Sequence, residues 1–307
     1  MSSNIELLLS CIDSYNNGEF KIKVKENETL KHHCSFRIGG NARVFAVPCD
    51  VEALIFLLRE ASSLNVRTYI LGNGSNILFD DNGFDGVIIS SSAFNKIIID
   101  GTTIKAESGA MLSACALKAK ENGLSGMECL FGIPGTIGGA VYMNAGAYGG
   151  EMSDITVKTR YIDLDTLTLS EVIGNEHCFG YRHSIFKDIN AFILDTEMEL
   201  KVGSVSEISL LMDDFKQRRI LKQPLEFPSA GSTFKRYPGR YTAQMIDEVG
   251  LKGRSVGGAK VSEKHAGFVI NTGNATSEDV LSLIEIIKSE IRKVYQIEIE
   301  TEIIHVK

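Results

Sequence analysis

Apolar positions recur along the chain in two rhythms, and each predicts a different element. Val51, Ala53, Leu54, Leu57, Leu58 and Ala61 form one stripe behind Asp50, a residue suited to capping, so residues 50–65 read as a helix. Short apolar runs at 66–71, 77–78, 87–90, 97–100 and 103–106 read as strands. A helix over 111–122 stops at Gly123, and strand-like runs return at 156–164 and 191–200. Helices follow over 206–221, ending near Lys222-Gln223-Pro224, and over 242–249, stopped by Gly250. The last runs over 277–295, where Thr276 and Asp279 have the spacing of a capping box. The tail, 297–306, alternates and reads as a strand with Glu298, Glu300 and Glu302 on one face. No repeat recurs, and a domain boundary is expected near residue 203.

Composition narrows the function classes. A chain of 307 residues with 44% apolar residues can bury a large core and suggests more than one domain. A net charge of −7 supplies no basic excess for a phosphate backbone, so nucleic acid is not an expected partner. The apolar stretch at 5–9 follows no basic segment, and no apolar run reaches the ~18 residues of a membrane span, so a cytoplasmic protein without membrane contact is expected. Six cysteines lie far apart with no C-x-x-C pair, so free thiols are expected and no metal site. Glycine is frequent, 29 residues against 5 prolines, which points to turns built on backbone freedom.

Two glycine-rich segments carry most of that freedom. Gly72-Asn73-Gly74-Ser75-Asn76, entered from Leu71, is either a tight hairpin or a nest of converging N–H groups for a pyrophosphate. Position 77 is Ile, so it is not a G-x-G-x-x-G fingerprint, and no Walker A pattern occurs. Residues 132–151 hold seven glycines with apolar and aromatic residues between them, unlike a flexible linker. There Gly135, Gly138 and Gly139 would let a planar or phosphate-bearing ligand lie against main chain, while Thr136 and Asn144 offer hydrogen bonds and Gly146-Ala147 continue the segment. Two such loops suit one extended ligand, such as a dinucleotide.

Three side chains elsewhere admit a chemical and a structural reading. Ser232, in Ala230-Gly231-Ser232-Thr233-Phe234-Lys235-Arg236, is a turn serine or a proton donor beside cations. Arg182, in Gly180-Tyr181-Arg182-His183-Ser184, is a surface ion-pair partner or a bidentate grip on a carboxylate. Glu302 belongs to a solvated strand face unless that strand returns to a site. His32 and His33 read as surface or turn residues.

Taken in order, Leu71 to Ile77, Gly132 to Gly150, Tyr181 to Ser184, Gly231 to Phe234 and Lys264 to Asn271 closely resemble the MurB family of UDP-N-acetylenolpyruvoylglucosamine reductases, from about residue 20 to the end. The resemblance implies an α+β fold: an FAD-binding region of the vanillyl-alcohol-oxidase type in two subdomains, 20–95 and 96–203 with 297–307, and a UDP-sugar subdomain, 204–296. It implies noncovalent FAD, contacted by residues 71–76, Pro134, Gly135, Thr136, Gly138, Gly139, Asn144, Gly146 and Ala147. NADPH would reduce the flavin at N5, and the enolpyruvyl sugar would then take the hydride at C3. Ser232 would protonate C2, with Arg182 and Glu302 polarising the carboxylate. Lys222, Arg236 and His265 match substrate-contacting positions. Nothing between Ser184 and Ala191 resembles the tyrosine-bearing insertion of some members, so the chain looks like the type II form, and a monomer is expected.

Overall fold

The computed structural model describes residues 2–307. Among the described residues seven α-helices form: α1 (Ser2–Asn16), α2 (Val51–Ser63), α3 (Leu112–Glu121), α4 (Ile137–Met143), α5 (Val205–Lys222), α6 (Thr242–Glu248) and α7 (Ser277–Tyr295). Five of them, α2, α3, α5, α6 and α7, answer the sequence pattern, while α4 folds unannounced inside the glycine-rich segment. The pattern did not announce α1, whose Ile5, Leu8 and Ile12 are buried. Caps behave as their residues dictate: Asp50 accepts from the Ala53 N–H at 2.8 Å, and Thr276 and Asp279 close a reciprocal box on α7.

The chain packs as two compact units. The first comprises residues up to Glu26, Val44–Asn73 and Gly86–Arg218. Its centre is a five-stranded antiparallel sheet in the order Thr168–Ile173, Thr156–Asp163, Ala191–Glu199, Thr103–Glu107, Ile97–Asp100. Strand periodicity sorts its side chains: Phe192 and Leu194 join a core with α1 and α2, while Ile193 joins a second core with α3 and α4. Thr68–Leu71 lies parallel to Phe84–Ser90 in another sheet, pairing Leu71 with Ser90. Strand Ile77–Phe79 instead pairs in parallel with Ile304–Val306. The loop at 72–76 therefore joins strands of two different sheets, which removes the hairpin alternative.

The second unit comprises Asn27–Arg43, Gly74–Asp85 and Arg219–Lys307. It holds a three-stranded antiparallel sheet, Ser255–Val256, Ala259–Val261 and Val269–Asn271, against which α7 buries Val280, Leu283, Ile284, Ile287 and Ile291. The tail departs from expectation. Only Ile304–Val306 is a strand, and Thr301 makes a single bridge to Phe234. The segment bonds first to the loop at 233–235 and then to Asn76, so no one partner runs beside it long enough to form a ladder. Glu298 and Glu300 are exposed and paired to Arg292 and Lys235, whereas Glu302 is half-buried. The six cysteines are free thiols. Among the described residues no helix is long and apolar enough to cross a membrane, and no three metal-ligating side chains converge.

Candidate active site

In the first unit, Leu71 ends its strand buried, and exposed Gly72 and Asn73 follow. A Cβ on Gly72 would lie 2.6 Å from Thr136 Oγ1, and Asn73 Nδ2 donates to the Pro134 carbonyl at 2.6 Å, so the two glycine-rich segments meet here. The second segment is tied to its scaffold through its own amides. Ile137 N–H donates to Ala110 O and Gly138 N–H to Ser108 O, each at 2.8 Å, while Leu112 N–H donates to Gly135 O at 3.0 Å. Thr136 caps α4 towards the Gly139 N–H at 3.5 Å. Gly139 itself is exposed, and a Cβ there would meet nothing nearer than Thr136 Oγ1 at 3.6 Å. That open floor is the cradle that close approach of a flat ligand needs.

Asn144 occupies a different role from an exposed hydrogen-bonding group. It ends α4 in the left-handed region at φ 43° and is fully buried. Its Nδ2 donates to Glu151 Oε1 at 2.8 Å and Gly180 O at 3.0 Å, while its Oδ1 accepts from Ser153 N–H at 2.9 Å. The side chain thus joins the glycine segment to the turn that carries Arg182. The guanidinium lies on the same segment: Arg182 Nη2 donates to Gly146 O at 3.2 Å, and Nη1 points to Asn144 O at 3.5 Å. Gly146 and Ala147 pair with Glu151 and Gly150 as a short hairpin. Glu151 and Ser153 carried no sequence signal, because their part is visible only once Asn144 is seen to turn inward.

In the second unit, Gly74 is buried at φ +60°, and a Cβ on it would come within 2.2 Å of the His33 carbonyl. Ser75 and Asn76 are half-buried. Among the described residues, no protein acceptor takes the backbone N–H of Gly72, Asn73, Gly74 or Ser75, which suits anion binding by main chain. Within the first unit, the unpaired amides of Gly72 and Asn73 and the open floor at Gly139 fit a dinucleotide such as FAD.

Asn76 Nδ2 donates to Glu302 O at 3.0 Å, and Ile304 N–H donates to Asn76 O at 2.9 Å. Glu302 N–H in turn donates to Thr233 O at 2.8 Å, which brings Glu302 beside the peptide that follows Ser232. Ser232 is half-buried after Gly231 at φ +75°, and the loop is held by Thr233 N–H to Gly267 O and by Val269 N–H to Thr233 Oγ1. Buried Thr233 is the anchor that the sequence did not single out. Arg236 is exposed, its guanidinium 5.1 Å from the Tyr241 ring centroid, and Lys222 is exposed at the end of α5. His265 is half-buried. Burial, then the charges of Lys252 and Lys222, hold its imidazole below its ordinary pKa, so it is neutral at pH 7. Of the pair His32-His33, His33 Nε2 lies 2.8 Å from Glu28 Oε1.

Residues 42–169 match the family profile of an FAD binding domain, and residues 223–306 match that of the UDP-N-acetylenolpyruvoylglucosamine reductase C-terminal domain. A UDP-N-acetylenolpyruvoylglucosamine reductase of Caldanaerobacter subterraneus subsp. tengcongensis is 46% identical over 92% of this chain and 93% of its own. The chain belongs to the UDP-N-acetylenolpyruvoylglucosamine reductase family. The Clostridioides difficile reductase of that name is 44% identical over 92% of this chain and 93% of its own. The crystal structure of the Thermus caldophilus reductase superposes with a TM-score of 0.78 at 30% identity, covering 93% of this chain and 99% of that one. Membership makes the chain an FAD-dependent oxidoreductase, with an α+β FAD-binding fold of the vanillyl-alcohol-oxidase type ahead of the reductase family's own C-terminal domain.

Proposed function

We propose that this chain reduces UDP-N-acetylenolpyruvoylglucosamine to UDP-N-acetylmuramate for peptidoglycan synthesis, with NADPH as electron donor. The observation that carries the catalytic assignment is the Glu302 N–H to Thr233 O bond of 2.8 Å, which brings the Glu302 backbone beside the serine loop. FAD, when bound, would supply the redox chemistry, so that a hydride drawn from NADPH reaches C3 of the substrate. The chain supplies what an isolated flavin lacks. The amides of Gly72 and Asn73 and the glycine floor of 135–139 would hold the cofactor without a covalent bond. Ser232 gives its hydroxyl proton to C2. Because a hydroxyl is a weak acid, this step needs the charge on the substrate carboxylate to be managed, which is the part of Arg182 and Glu302. Lys222 and Arg236 offer cations and His265 a neutral imidazole to the UDP-sugar. On this reading residues 20–95, and 96–203 with 297–307, serve the cofactor and 204–296 the sugar nucleotide. The enzyme works as a cytoplasmic monomer.

The test separates the two half-reactions under anaerobic conditions. In Ser232→Ala, NADPH should bleach the flavin band at the parent rate, while its return on adding UDP-N-acetylenolpyruvoylglucosamine should slow by at least about a hundredfold, the scale of a lost general acid. Unchanged reoxidation in that variant rejects the proton-donor assignment.

A further inference from the structure

Phe215, on α5, lies outside every motif considered so far. Its ring is stacked on that of Tyr148, centroids 4.9 Å apart and planes 4° from parallel, in the same compact unit. Tyr148 and Gly149 are the central residues of the turn joining Gly146–Ala147 to Gly150–Glu151, at φ 55° and 91°. Glycine accepts that conformation freely, and a tyrosine does not. A hairpin with two residues in each strand supplies little to hold it, and the tyrosine side chain remains 37% exposed. Support for the turn therefore comes from outside it, and Phe215 supplies an aromatic face.

The other end of this hairpin holds Arg182. Gly146 O accepts from Arg182 Nη2 at 3.2 Å, and the Asn144 amide joins Glu151, the hairpin's last residue, to Gly180, two residues before Arg182. Arg182 is itself at φ 56°, so its backbone is fixed in an unusual conformation and its guanidinium takes its bearings from the hairpin carbonyls. The turn at Tyr148 and the Gly146 carbonyl that accepts from Arg182 thus belong to one short hairpin, two residues apart.

We propose that Phe215 is a positioning residue for Arg182: its stack on Tyr148 fixes the hairpin whose carbonyls hold the guanidinium in place for the substrate carboxylate. The proposal rests on the role of Arg182 given under Proposed function. It predicts a defect confined to the half-reaction in which the carboxylate is present.

The experiment uses the full-length holoprotein, with flavin content read by absorbance and the two half-reactions followed separately under anaerobic conditions. Phe215→Leu keeps apolar volume and removes the stack. It should retain full flavin and the parent rate of reduction by NADPH, while reoxidation by UDP-N-acetylenolpyruvoylglucosamine falls about fivefold, the scale of a lost aromatic pair. Phe215→Tyr should restore the rate. Tyr148→Leu should show a defect at least as large, and adding Phe215→Leu to it should slow reoxidation no further, because both act through one contact. Parent-like reoxidation in Phe215→Leu, equal slowing of both half-reactions, or additive defects in the double variant would each overturn the proposal. Arg182→Lys distinguishes the two levels of the argument. If it leaves reoxidation unchanged, the reading of Arg182 fails; if it slows reoxidation and Phe215→Leu does not, only the positioning role fails.

Discussion

At the scale of single residues, the two glycine-rich segments use their glycines for different reasons. Gly74 is required by the protein itself, since its left-handed backbone and the His33 carbonyl at 2.2 Å from an added Cβ leave no room for another residue. Gly139 is not. It sits inside α4 with open space around it, so a methyl group there should help the helix while intruding on whatever lies over the floor. Gly139→Ala should therefore stabilise the flavin-free protein by up to about 1 kcal/mol and weaken FAD binding by roughly tenfold or more. Chemical denaturation of the apoprotein and flavin titration check the two halves, and a variant that binds FAD as the parent does would remove Gly139 from the cofactor site. Both glycines were visible in the sequence. Which of them answers to the ligand was not, because that depends on what the missing Cβ would touch.

At the scale of elements, the local rules worked where an element owes its ends to its own residues. The α7 helix begins at a capping box four residues long, and its buried stripe follows the 3.6-residue period. Thr276→Ala should cost about 1 kcal/mol of stability in urea unfolding, while Asp279→Ala should cost more, because Asp279 accepts from the Gly258 N–H at 3.1 Å as well as from the Thr276 N–H. Equal losses would mean that the bond to Gly258 contributes nothing. The tail shows where such rules stop. Its alternation promised one strand, yet the chain there divides its hydrogen bonds between the 233–235 loop and Asn76, and only its last three residues complete a ladder. Alternation records which side chains can share a face, whereas a strand also requires a continuous partner.

For the whole molecule, buried His177 and half-buried His265 shape the response to mild acid. Burial holds His177 and His265 below the imidazole's ordinary pKa. In the unfolded chain both take up protons near pH 6.5, so the unfolded state binds more protons and stability falls as pH drops through that value. Asp80 and Asp279, held low chiefly by backbone N–H donors, add a second loss only below about pH 4. The urea midpoint should therefore be lower at pH 5.5 than at pH 7.5, and His177→Gln should flatten that change. A midpoint that is flat over this range would contradict the assignment. By itself the sequence determined five of the helices, the class of fold, the two glycine-rich segments and the order of motifs that marks the family, because periodicity, capping and turn chemistry are local and a motif is a string. Tertiary structure alone decided that the 72–76 loop joins two sheets, that Asn144 turns inward, that Thr233 draws Glu302 beside the serine loop, and that Phe215 meets Tyr148. Each of these is a pairing of residues far apart in the chain, and no local preference encodes the partner.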